Sequence, residues 1–246
     1  MTLRAARRAV ALSFGLLLAV GLFWLRRLRG PMTLVDRARW LQQACKLILK
    51  CVGIHYEVEG TPPQRGVLVA NHLTYMDVLV ISAATPCFFV AKMEIDSWPF
   101  FGMTARMGGT LFLDRSSLAS AEAVSAMIAE RLALPVPVLF FPEGTSTDGT
   151  EVWRFHSRLF EPPVAAGAQI TAAAIEYVAH DGRPERDLCW YGDDAFVPHL
   201  GRTLDVPGIS ARVSFGEPRV YGHRREAADA THDEIESKRK GVLVAQ

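Results

Sequence analysis

The chain has 246 residues, with 27 Lys and Arg against 26 Asp and Glu, and half of its residues are apolar. That length and composition suit one sizeable globular domain with an appendage, and the near-neutral charge excludes a typical nucleic-acid binder, which needs a clustered basic surface. Four cysteines, Cys45, Cys51, Cys87 and Cys189, are widely spaced without a C-x-x-C pair, so neither a zinc site nor a disulfide framework is indicated and a reducing setting is expected.

Along the chain, the first element is the uncharged run from Val10 to Leu25, bracketed by Arg4, Arg7 and Arg8 before it and Arg26, Arg27 and Arg29 after it. The run is slightly short of the roughly 20 residues that cross a bilayer comfortably, so spanning and shallow insertion both stay open. It ends in Trp24-Leu25-Arg26-Arg27 instead of a small-residue cleavage site, which argues against a cleaved signal peptide. Residues 1–30 therefore read as a membrane anchor, and the basic residues after the run place the globular body on the cytoplasmic side of the cell membrane.

From Thr33 to Val52, Leu34, Ala38, Leu41, Cys45, Ile48 and Val52 recur at steps of four and three. This is an amphipathic helix over residues 31–52, suited to the headgroup region of a bilayer or to packing on the domain. Residues 53–246 form the globular body, where short apolar runs alternate with helical stretches and no repeat is visible. The expected strands are Tyr56–Val58, Gly66–Ala70, Cys87–Ala91, Thr110–Leu113, Val136–Phe141, Ile170–Tyr177 and Ala211–Phe215. The expected helices are Met76–Ala84, Trp98–Met107, a segment capped by Ser117 and stopped by Pro135, and about Glu226 to Lys240. The pattern predicts an α/β domain: a mixed, largely parallel sheet with helices on both faces, preceded by two membrane-associating helices.

Three loops that each follow an apolar strand hold most of the chemistry-bearing residues. They are Asn71-His72 to Asp77, Gly108-Gly109 to Asp114-Arg115, and Phe141-Pro142-Glu143-Gly144-Thr145-Ser146. In open α/β sheets, sites form outside the carboxyl ends of strands, so these loops are expected to converge. His72 and Asp77 are five positions apart, a step of roughly 500° on a continuous helix that leaves them about 140° out of register. They meet only if His72 lies in the turn before the helix and Asp77 in its first turns. A histidine has a proton affinity suited to a general base, and a carboxylate on its other ring nitrogen fixes the tautomer. Arg115, just beyond a strand, suits paired hydrogen bonds to a phosphate, and Gly144 lets the backbone approach a ligand closely.

Together the three loops resemble the glycerolipid acyltransferase family, which includes the 1-acylglycerol-3-phosphate acyltransferases. Asn71, His72 and Asp77 match its N-H-x-x-x-x-D motif; Gly109, Phe112 and Arg115 match the second; Phe141 to Ser146 match F-P-E-G-T-R/S. The resemblance covers roughly Val52 to Phe215. It implies catalysis by His72 and Asp77, and an acceptor site formed by Arg115, Glu143, Gly144 and Thr145, with Glu143 acting through Arg115 or a glycerol hydroxyl. It also implies a lysolipid acceptor, membrane lipids as partners, an acyl-CoA or acyl carrier protein thioester as donor substrate, and no cofactor or metal. The fourth family motif is poorly kept, with Ala172 where proline is usual and Arg158 where glycine is usual.

The leading expectation is acyl transfer to the free hydroxyl of 1-acylglycerol 3-phosphate, giving phosphatidate. The altered fourth motif and the Trp190-Tyr191-Gly192-Asp193-Asp194 cluster, read as a surface loop, leave another lysolipid such as a lyso-ornithine lipid as the alternative. A catalytically silent lipid-binding or tethering protein is the remote one. Lys92 and Arg106 add positive charge near the mouth or simply face solvent. His156, His180, His199, His223 and His232 lack metal-ligand spacing and read as structural or surface residues.

Overall fold

The computed structural model describes residues 2–98, 100–114 and 118–243. Arg115 and Ser117, the expected phosphate ligand and helix cap, lie outside the described residues. Two antiparallel helices open the chain, α1 (Leu3–Leu28) and α2 (Leu34–Val52). Thr33 and Asp36 form a reciprocal capping box at the start of α2, and Gly53, at φ 74°, ends it in the left-handed conformation, which glycine adopts without steric cost.

The body then runs β1 (Ile54–Glu59), β2 (Val67–Ala70), α3 (Met76–Ala84), β3 (Phe88–Lys92), α4 (Met93–Asp96), α5 (Phe101–Gly108) and β4 (Leu111–Leu113). It continues through α6 (Leu118–Leu132), β5 (Val138–Phe140), α7 (Glu161–Ala165), β6 (Ile170–Ala179), α8 (Phe196–Asp205), β7 (Ile209–Phe215) and α9 (Arg224–Leu243). The seven strands form one sheet in the order β1-β7-β6-β2-β5-β3-β4, parallel at every pairing except β6 with β7. This is the mixed, largely parallel sheet that the sequence pattern predicts.

Strand alternation builds two cores. Leu68, Ala70, Leu139, Ala173 and Ile175 face α2 and α3, where Cys45, Leu49, Met76 and Val80 are buried. Val67, Val69, Val138, Phe140, Ala172 and Ala174 face the other way, against Ile128 of α6 and Ala227, Ala228 and Ile235 of α9. Residues of β2 are buried on both faces, so it reads as a continuous apolar run, as central parallel strands do. The apolar stripe of α2 is consumed inside the protein: Ala38, Trp40, Ala44, Cys45, Ile48, Leu49 and Val52 are all buried. Its exposed stripe is Arg39, Gln43, Lys46 and Lys50.

Two details depart from the sequence expectation. The stretch expected as one helix from Trp98 to Met107 begins instead at Phe101, preceded by the short α4. Helix α8 is absent from the expected elements, because Pro198 and Gly201 interrupt its pattern. It forms nonetheless, burying His199, Thr203 and Leu204 along one face. What matters for function is strand direction. β2, β5, β3 and β4 run the same way, so the three motif loops, following β2, β4 and β5, all leave the sheet at one edge.

Candidate active site

The site is built where β2 ends. Past Ala70 the chain leaves the sheet, and the Asn71 side chain replaces the lost ladder: its Oδ1 accepts the Ile175 N–H at 2.8 Å and its Nδ2 donates to the Ile175 carbonyl at 3.1 Å. That pair of hydrogen bonds fixes the start of the turn carrying His72. Helix α3 begins at Met76, so His72 sits in the turn and Asp77 in the first helical turn.

His72 Nδ1 and Asp77 Oδ2 are 2.7 Å apart. The same carboxylate oxygen accepts the backbone N–H groups of Leu73 at 2.7 Å and Thr74 at 3.0 Å, so it also caps the turn. Asp77 is fully buried, and its Oδ1 accepts the Tyr177 hydroxyl at 2.8 Å. A carboxylate partner makes Nδ1 the protonated ring nitrogen, which leaves Nε2 with its lone pair and without a partner among the described residues. The imidazole stacks on Phe141, with ring centroids 4.1 Å apart and planes 13° from parallel. His72 keeps 22% of its side-chain surface exposed while Asp77 keeps none, so the ring alone presents the pair to a substrate.

The third loop grips the first. Glu143 Oε1 accepts the His72 N–H at 2.7 Å, and the His72 carbonyl accepts the Thr147 N–H at 2.9 Å. Glu143 Oε2 accepts the Trp153 N–H at 2.9 Å. Both Glu143 oxygens are thus committed to backbone, and their described partners are neither a hydroxyl nor an arginine. Burial pushes the Glu143 carboxyl up to about 7, against the pull of those two N–H groups. Gly144 follows at φ 79°, a left-handed turn that a side chain would strain. Glu143, Gly144, Thr145, Val152, Trp153 and Arg154 line an open cleft of about 640 Å³ beside the histidine turn.

The Trp190 cluster is more than a surface loop. Trp190 donates its N–H to the Leu73 carbonyl at 2.9 Å, and its own carbonyl accepts the Ser146 hydroxyl. Its ring meets Tyr75 and Phe196, and Trp98 packs against both Trp190 and Phe196. A half-buried aromatic wall therefore flanks the turn. His199 belongs to it, buried, with Nε2 on the Cys189 carbonyl at 3.1 Å and Nδ1 on the Tyr75 hydroxyl at 3.1 Å; burial lowers its proton affinity. Arg106 pairs with Asp96 and Lys92 is exposed. Among the described residues no cluster of three His, Cys, Asp or Glu side chains could hold a metal ion.

The structure thus joins the first and third loops around His72, whereas the position of Arg115 in the second is outside the described residues. Asn71, Trp153, Tyr177 and Trp190 complete the site. Only Asn71 carried a motif signal; the others are reached through the fold.

The sequence profile of the Acyltransferase family matches residues 54–176, and the chain belongs to that family; it is an acyltransferase of the lysophospholipid type. Among relatives, it is 36% identical over 180 residues to a lyso-ornithine lipid O-acyltransferase of Rhodobacter capsulatus, covering 71% of this chain and 65% of that one. It is 33% identical to a lyso-ornithine lipid O-acyltransferase of Pseudomonas aeruginosa, over 89% of this chain and 84% of that one. It is also 33% identical to a 1-acyl-sn-glycerol-3-phosphate acyltransferase of Neisseria meningitidis, over 68% of this chain and 67% of that one. The fold is similar to the crystal structure of the 1-acyl-sn-glycerophosphate acyltransferase of Thermotoga maritima, with a TM-score of 0.71 and 18% identity over 98% of both chains.

Proposed function

We propose that the chain transfers a fatty acyl group from a thioester, on coenzyme A or acyl carrier protein, to the free hydroxyl of 1-acylglycerol 3-phosphate, giving phosphatidate. The observation that carries this reading is the His72 ring, held by Asp77 on one nitrogen and open on the other. Nε2 takes the proton as the hydroxyl oxygen attacks the thioester carbonyl. The new ester C–O bond forms, the C–S bond breaks, and the proton passes from the imidazolium to the leaving thiolate. Asp77 orients the ring and stabilises its charged form. The substrate hydroxyl is itself the nucleophile, so no covalent enzyme intermediate and no cofactor are required. Arg115, Gly144 and Thr145 form the acceptor side, with Arg115 taking the phosphate, and Glu143 supports that side by bracing the backbone of His72 and Trp153.

A second acceptor, a lyso-ornithine lipid, is favoured by the Rhodobacter and Pseudomonas relatives and by the departures at Ala172 and Arg158. Detergent-purified protein, given labelled acyl-CoA and acyl carrier protein donors against a panel of lysolipids, separates the two. Phosphatidate formation with lysophosphatidate alone supports the first reading; exclusive acylation of lyso-ornithine lipid overturns it.

For location we propose that residues 1–30 anchor the protein to the cell membrane, with residues 31–52 at the headgroup level and the acyltransferase domain, 53–246, on the cytoplasmic side. Helix α1 is long and apolar enough to cross a bilayer. Three contacts support a lie along one leaflet instead. Arg4 and Arg8 bind the backbone carbonyls of Asp205 and Pro207 at 2.9 Å each, and near the other end Trp40 donates to the Ala19 carbonyl at 2.9 Å. Both ends of α1 are thereby held to the same body. Leu3, Val10, Phe14, Leu17, Leu25 and Leu28 are left exposed on its far face, a stripe suited to acyl chains. The exposed Arg39, Lys46 and Lys50 of α2 suit anionic headgroups.

A further inference from the structure

The two oxygens of Asp77 are unequally used. Oδ2 serves His72, Leu73 and Thr74, while among the described residues Oδ1 accepts only the Tyr177 hydroxyl, at 2.8 Å. Tyr177 is buried near the end of β6, five positions beyond Ala172 and outside every motif of the chain. Its backbone N–H donates to Glu185 Oε1 at 2.7 Å, and Glu185 Oε2 is paired with Arg239 Nη2 at 2.8 Å. Arg239, itself buried, reaches in from α9 and also binds the carbonyls of Ile175 and Gly149. The C-terminal helix thus locks the strand segment from which Tyr177 reaches Asp77. Burial, then the neighbouring Asp77 charge, drives the Tyr177 hydroxyl far above its ordinary range, so it stays a donor throughout the working pH range.

We propose that Tyr177 is a positioning residue for the His72–Asp77 pair: its hydroxyl fixes the carboxylate against rotation and draws charge from it, setting how strongly Asp77 holds the histidine proton. This rests on the reading of His72 as general base. Asp77 in a buried site with one oxygen unmet is both freer to turn and more basic, and a more basic partner favours the imidazolium. Other titratable groups around the pair and Tyr177 are Glu143 after β5, Glu185 and Cys189 beyond β6, and, acting on Cys189, Arg239 of α9 and Asp148. Replacing Tyr177 with phenylalanine changes none of them.

The test is the pH dependence of kcat in Tyr177→Phe, which removes one oxygen and keeps the ring. We expect kcat at the optimum to fall about 10-fold, corresponding to about 1.4 kcal/mol, with KM for donor and acceptor within about 2-fold of wild type. The acid limb should move upward by about half a unit. A purely structural tyrosine would alter stability or the active fraction but leave the limb in place. As a second measurement that avoids loss of the hydroxyl, 3-fluorotyrosine incorporated at position 177 is a stronger donor and should move the limb downward. Limbs unmoved in both proteins, or moved in the same direction, overturn the proposal. His72→Ala assayed in parallel separates the two readings. If it keeps wild-type turnover, the general-base assignment fails; if it is inactive while Tyr177→Phe behaves as wild type, only the role of Tyr177 fails.

Discussion

Glu143 holds the backbone N–H of His72 at 2.7 Å with one carboxylate oxygen, while its other oxygen holds Trp153 at 2.9 Å. The glutamate of the third loop is therefore a brace for the histidine of the first. Glutamine has only one carbonyl oxygen, so Glu143→Gln leaves one of these N–H groups facing an amide NH₂. A buried donor left unmet costs about 1–3 kcal/mol. We expect a 10-fold or larger loss of kcat from displacement of His72, read in steady-state kinetics of folded protein.

The same residue gives a pH prediction. Burial raises the Glu143 carboxyl from about 4.5 to about 7 in the fold. A group shifted that way favours the folded state fully below its unfolded value, and the contribution is lost as pH rises through about 7. Thermal melts at pH 5 and pH 8 should show wild type losing stability relative to Glu143→Gln over that interval. Parallel curves for the two proteins would show that the carboxyl is not perturbed.

Asp77→Asn keeps the side-chain shape but replaces an oxygen that accepts three hydrogen bonds or the one that accepts Tyr177. The amide cannot favour the imidazolium, and it inverts the tautomer preference of His72. Loss of turnover on the order of 10³–10⁴-fold is expected, by analogy with the aspartate of serine triads, with circular dichroism unchanged.

Arg115→Ala should raise KM for a phosphate-bearing acceptor at least about 10-fold with little change in kcat. Steady-state kinetics with lysophosphatidate read this directly, and a fall in kcat alone would remove the phosphate role.

On the membrane side, Phe14→Glu with Leu17→Glu places charge on the exposed stripe of α1, where these side chains are 66% and 69% exposed. Vesicle co-sedimentation should drop, while turnover of detergent-dispersed substrate stays within about 2-fold. Deleting both N-terminal helices is a poorer probe, because α2 buries Trp40, Cys45 and Leu49 in the protein.

Much of this architecture was legible in the residues. Apolar runs such as Val67–Ala70 could only be buried strands, and the five-residue step from His72 to Asp77 required the turn-then-helix geometry that the structure has. The rest depends on nonlocal contacts. Tyr177 is 100 positions from Asp77, and Trp153 reaches Glu143 only after the third loop folds back. Neither residue carries a local pattern distinguishing it from an ordinary core or loop aromatic. Trp190 looked like a surface residue because its role is a main-chain bond to Leu73, which no side-chain pattern records. The antiparallel pairing of β6 with β7 was equally silent, since both strands are largely buried whichever way they run.

The most direct measurement of the central claim is single-turnover acyl transfer by purified His72→Ala with a saturating thioester donor and lysolipid acceptor. A rate at least about 10³-fold below wild type is expected, within the range a positioned acid–base group contributes, since Nε2 both takes the hydroxyl proton and returns it to the thiolate, with the melting temperature preserved. Turnover near the wild-type rate would contradict it.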